Sequence, residues 1–163
     1  MRLMLTSCGL ETEKIKGYFL EMLGKDPCHA KALFIPTAAI DADAVEVLPK
    51  CMHDLLKCGF PKENIRVYDL HADMPADELN TFDVVYFCGG RTAYLLERIN
   101  DSGFRGTLLN YIREDGFVIG SARGVSFSRT TCQAIWVLLI QSWMSTATGA
   151  ALPAGSHSRW RTT

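Results

Sequence analysis

Val84-Val85-Tyr86-Phe87-Cys88-Gly89-Gly90-Arg91-Thr92 is the stretch that decides the fold. Its first four residues are β-branched or aromatic, a run that suits a strand buried on both faces. Two glycines stop the run, and Tyr94, Leu95 and Ile99 then begin a helix. A buried strand that passes through glycines into a helix is half of a strand–helix–strand unit.

The same alternation extends in both directions. Residues 3–6, Ala32–Ile35 (stopped by Pro36), 65–68 and 117–119 read as four more buried strands. Ile15, Phe19, Met22 and Leu23 mark a helix over residues 14–23, with Gly24 as its C-cap. Asp43 with Glu46 predicts a capping box opening a second helix. Pro49 interrupts that helix or starts its second half, Met52, Leu55 and Leu56 give it an apolar face, and Gly59 ends it. Leu108, Leu109 and Ile112 mark one more helix before the last strand. The fold class is therefore α/β, a parallel sheet flanked by helices. Right-handed crossovers put every strand's C-terminal end on one edge, where such sheets bind ligands. Three loops meet there: Thr6-Ser7-Cys8-Gly9, Cys88-Gly89-Gly90-Arg91-Thr92, and the segment after Gly120.

Bulk composition narrows the function. The 163 residues suit one domain, and 48% hydrophobic with 21% charged residues is ordinary for a soluble globular chain. A net charge of −1 argues against nucleic acid or an anionic membrane as partner. The six Cys show no C-x-x-C spacing, so no metal is expected. The N-terminus soon turns polar, and the late apolar run 134–140 is too short for ~30 Å of hydrocarbon. A cytoplasmic chain with reduced thiols follows. One feature is anomalous. All 18 acidic residues lie at or before Asp115, and all three Trp lie after it. From Ser121 on, Ser and Thr make up 13 of 43 residues.

The glycine-bearing loops carry the candidate chemistry. Gly89 and Gly90 let backbone approach a ligand closely, and the N–H groups at the following helix start can hold an anion or a developing oxyanion. A plain strand-to-helix turn explains them equally well. The loop is not G-x-G-x-x-G, so dinucleotide binding is weakly supported. Arg91 either binds a carboxylate bidentately or faces solvent. Gly120-Ser121-Ala122-Arg123-Gly124 also follows a strand, but its glycines are misplaced for a nucleophile elbow. Cys8 and Cys88 read as packed thiols. His29, His53, His71 and His157 each read as surface residues.

Residues 1–120 resemble peptidase family S51, the dipeptidase E (aspartyl dipeptidase) and cyanophycinase group. The matching segments are Leu5-Thr6-Ser7, Leu33-Phe34-Ile35-Pro36-Thr37-Ala38, Tyr68-Asp69-Leu70 and Gly89-Gly90-Arg91-Thr92-Ala93-Tyr94-Leu95-Leu96. Arg91 stands where the family pattern has Asn. The resemblance implies a class I glutamine amidotransferase-like, flavodoxin-like three-layer fold. It implies a Ser nucleophile in Gly-x-Ser-Ala-Gly, approximated by Ser121, with a downstream His and an orienting carboxylate. Gly89 and Gly90 would frame the oxyanion hole, with Arg91 and Thr92 on the substrate. The implied reaction is hydrolysis of short peptides with an N-terminal Asp. No cofactor is implied; the partner is a small peptide, and a homodimer is left open.

The pattern needs one more residue between Gly120 and Ser121, and Gly in place of Arg123. Loss of one base near codon 120 accounts for both, since Gly-Val-Ser-Ala-Gly read one base out can give Gly-Ser-Ala-Arg-Gly. The expectation is thus an S51-like domain over residues 1–120, an out-of-frame tail over 121–163, and little or no activity. The competing expectation is a non-catalytic binding module that holds a small anion at the Gly-Gly loop.

Overall fold

The computed structural model describes residues 2–7 and 9–121. Among the described residues five strands are present: β1 (Arg2–Thr6), β2 (Ala32–Ile35), β3 (Ile65–Val67), β4 (Val84–Phe87) and β5 (Phe117–Ser121). They alternate with α1 (Glu13–Leu23), α2 (Ala42–Lys57), α3 (Ala76–Leu79), α4 (Thr92–Asp101) and α5 (Phe104–Arg113). The strands form one sheet in the order β1-β5-β4-β2-β3, and every pairing is parallel. The α/β reading and its parallel sheet hold.

β2, β4 and β5 are buried along their whole length, as a sheet covered on both faces requires. Alternate residues feed two cores. Leu33, Ile35, Val85, Phe87 and Val118 pack with α4 and α5 through Leu95, Ile99, Leu108 and Ile112. Ala32, Phe34, Val84, Tyr86, Phe117 and Ile119 pack with α1 and α2 through Phe19, Leu23, Cys51 and Leu55. Phe19 joins that second core with its ring tilted against two neighbours, 5.5 Å from Phe117 and 6.0 Å from Phe60.

The α1 ends follow their local chemistry. Thr12 caps its N-terminus by accepting from the Ile15 N–H at 3.2 Å. Gly24 closes it in the left-handed conformation expected of a C-cap. α2 departs from expectation. It starts at Ala42 with Asp41 as N-cap, not at an Asp43–Glu46 capping box, and Asp41 makes no side-chain cap bond. The reason is competition: Arg91 Nη2 holds Asp41 Oδ1 at 2.9 Å. Pro49 lies inside an unbroken helix. Pro49 and Val45, whose carbonyl loses its donor, are both exposed, so water can serve that carbonyl. β5 also runs two residues beyond the expected 117–119 and pairs with β1 as far as Thr6 opposite Ser121.

Leu55 is fully buried between α2 and the sheet. Leu55→Ala should lower stability by about 2–5 kcal/mol in urea unfolding; a loss under about 1 kcal/mol would contradict this packing.

Candidate active edge of the sheet

The C-terminal edge is built by strand ends that lie side by side. Gly120 pairs with Leu5 on one side and Phe87 on the other, and Ser121 pairs with Thr6. Cys88-Gly89-Gly90 therefore starts one step past Phe87, beside the end of β5. All three residues are buried.

The Gly-Gly loop is locked to the turn after β2. The Arg91 N–H donates to the Ala38 carbonyl at 2.7 Å. Gly90 has φ +148, and a Cβ there would collide with that same carbonyl. The Cys88 N–H donates to the Ile35 carbonyl at 3.0 Å and extends the β2–β4 pairing. The second glycine thus serves a close backbone approach as well as a turn. α4 begins immediately after, at Thr92, with Arg91 as N-cap. The Oγ1 atoms of Thr6, Thr37 and Thr92 are buried on this edge without a hydrogen-bond partner among the described residues. Arg91 and Asp41 are each more than half exposed. Their pair joins the start of α4 to the start of α2.

Ser121 is the last residue of β5, only 5% exposed. It is a strand residue rather than a loop residue. Leu70 and Asp115 are the non-glycine positions with positive φ among the described residues, so Ser121 does not sit on a strained turn. Its hydroxyl faces the α1/α2 side, where Tyr86 lies. Burial pushes the Tyr86 phenol far above its ordinary range, and the Ser121 hydroxyl draws it partly back. The two oxygens are neighbours, yet the phenol finds no partner within normal hydrogen-bond geometry among the described residues. Cys88 is a packed thiol, raised well above its usual value by burial and then by its contact with Cys51.

Asp54 is the site residue that the sequence reading missed. It is 5% exposed, and its Oδ2 accepts from the Leu10 N–H at 3.0 Å. This bond anchors the loop after β1 to α2. A signal for it was present, since Cys51, Asp54, Leu55 and Cys58 fall on one helical face. An acid on an otherwise apolar face needs a buried partner.

The histidines lie elsewhere. His29 precedes β2, at the opposite end of the sheet. His53 is exposed on α2. His71 is exposed beyond β3, where its Nδ1 lies 2.7 Å from the Asp69 carbonyl. β3 is three strand spacings from β5, roughly 14 Å. Cys8, Ala122-Arg123-Gly124, His157 and the expected out-of-frame tail lie outside the described residues.

A family model described as Peptidase family S51 matches residues 3–135. The chain belongs to peptidase family S51. No curated protein matches it. Among solved structures it is similar to a protein described as a peptidase E from Listeria monocytogenes EGD-e, with a TM-score of 0.60 and 24% identity. That match covers 75% of this chain and 58% of the other, so this S51 chain spans little more than half of that protein. The shared fold is the parallel α/β sheet described above. No helix among the described residues is long and apolar enough to cross a membrane.

Gly90→Ala in this S51 chain must break either the φ or the Ala38 contact. The expected loss is about 3 kcal/mol or more in urea unfolding. A change within about 0.5 kcal/mol would contradict the loop geometry.

Proposed function

We propose that this chain is by descent a serine-type peptidase of the dipeptidase E class, for short peptides with an N-terminal Asp. We also propose that it hydrolyses them poorly or not at all. Gly89 and Gly90 would hold the oxyanion, Arg91 and Thr92 would meet the peptide, and Ser121 stands nearest the nucleophile's place. The setting would be cytoplasmic, with no cofactor.

The observation that carries the loss of activity is the seat of Ser121. A nucleophilic Ser works from a sharp turn that exposes its hydroxyl above the sheet edge. It also needs a base within hydrogen-bond reach. Ser121 instead keeps sheet register with Thr6 and is buried. Counting from Gly120, it fills the place of the variable residue in Gly-x-Ser, and the nucleophile's place falls on Ala122. Hydrolysis of an N-terminal Asp dipeptide should be indistinguishable from the uncatalysed control, both in the wild type and in Ser121→Ala. A measurable rate that disappears in Ser121→Ala would overturn the reading.

Buried Thr37 and Thr92 hydroxyls without partners among the described residues, beside the start of α4, favour a second reading in which the edge binds without catalysis. Arg91 would then exchange Asp41 for a ligand carboxylate. An Asp-containing dipeptide should raise the thermal midpoint. The rise should survive Ser121→Ala and shrink in Arg91→Ala; equal rises in the wild type and Arg91→Ala would exclude it.

A further inference from the structure

We propose that Asp26, Cys28 and His29 form a three-ligand site for a borderline-soft divalent transition metal, zinc being the natural occupant. The site lies before β2, at the end of the sheet opposite Ser121. It is separate from the peptide-binding edge.

Asp26-Pro27-Cys28-His29 is one 3-10 turn capped by Asp26. In that turn the first, third and fourth residues bring their side chains together. One ligand atom from each lies within 4.8 Å of the others. Cys28 Sγ is 3.0 Å from His29 Nδ1, which is 3.8 Å from Asp26 Oδ2. Zinc holds thiolate at about 2.3 Å and imidazole or carboxylate at about 2.0–2.2 Å, so tetrahedral ligands stand about 3.4–3.6 Å apart. Each measured pair needs to shift by only about half an ångström to reach that spacing.

The turn is held before any metal arrives. Asp26 Oδ1 accepts from the Cys28 N–H at 3.0 Å. The His29 and Ala30 N–H groups donate to the Asp26 and Pro27 carbonyls at 3.1 and 3.2 Å. Pro27 rests in the space left by Gly59, where a Cβ would stand 3.1 Å from the proline ring. Gly59 has φ +100 and ends α2, so the turn is seated on that helix end. The neighbouring Lys25 ammonium is occupied by Asp83, at 2.9 and 3.0 Å. It is therefore not the group that neutralises Asp26.

Metal binding replaces the Cys28 thiol proton: the S–H bond breaks, an S–metal bond forms, and the proton leaves to solvent. His29 supplies neutral Nδ1, Asp26 supplies a carboxylate oxygen, and water fills the fourth position. All three residues are exposed, so entry is open. The ion would clip the connection between α1 and β2.

The test is zinc titration of the reduced full chain by calorimetry. Cadmium serves as the optical probe, read through its thiolate charge-transfer band. The expected result is one zinc per chain and a higher thermal midpoint. Binding should be at least tenfold weaker in both Cys28→Ser and His29→Ala. Asp26→Asn keeps a capping side chain, so its weaker binding at unchanged circular dichroism reads the lost ligand rather than a lost fold. Absence of binding, a cadmium band of wild-type intensity in Cys28→Ser, or unaltered affinity in His29→Ala would each overturn the proposal.

Discussion

The 2.7 Å hydrogen bond from the Arg91 N–H to the Ala38 carbonyl ties together the two central strand ends, and the candidate site rests on it. β4 lies in the middle of the sheet, between β5 and β2. Whatever fixes its exit fixes where the Gly-Gly loop stands. The bond is short because Gly90 has no side chain to hold the Pro36–Ala39 turn away. Moving that loop would mean breaking buried backbone pairing, which proteins rarely leave unsatisfied. The edge is thus prepared before a ligand arrives, with α4 starting directly behind it.

A prepared edge is not yet a catalytic one. Family S51 membership follows from a match over most of the chain, and the fold agrees with a solved relative. The chemistry turns on one residue of spacing. Strand side chains alternate between faces, so adding or removing one residue sends a side chain to the other side of the sheet. Ser121 faces Tyr86 in the α1/α2 core instead of crowning a turn. On the proposed reading, binding and reaction part company in this chain. The glycine loop depends on β4 and β2, whereas the seat of Ser121 depends on how β5 ends.

Much of this was legible in the residues. Val84–Phe87, Ala32–Ile35 and the Gly24 cap were readable because short apolar runs and glycine stops are local signals. The Gly-Gly loop was placed correctly for the same reason. What escaped notice depended on distant partners. The helix starts earlier than an Asp43–Glu46 box would place it, and the side chain of its N-cap Asp41 is held by Arg91, 50 residues away in the chain. Asp54 raised no expectation, because the Leu10 N–H from which it accepts lies 44 residues away. Pro49 looked like a break because its exposure was not visible.

The most direct measurement is mass spectrometry of the full chain after exposure to a serine-reactive fluorophosphonate. A hydroxyl activated by a neighbouring base is phosphonylated rapidly, whereas a buried strand hydroxyl is not. The expected result is an unmodified Ser121 under conditions that fully label an active serine hydrolase. Stoichiometric phosphonylation at Ser121 would contradict the strand seat and restore this residue as a working nucleophile.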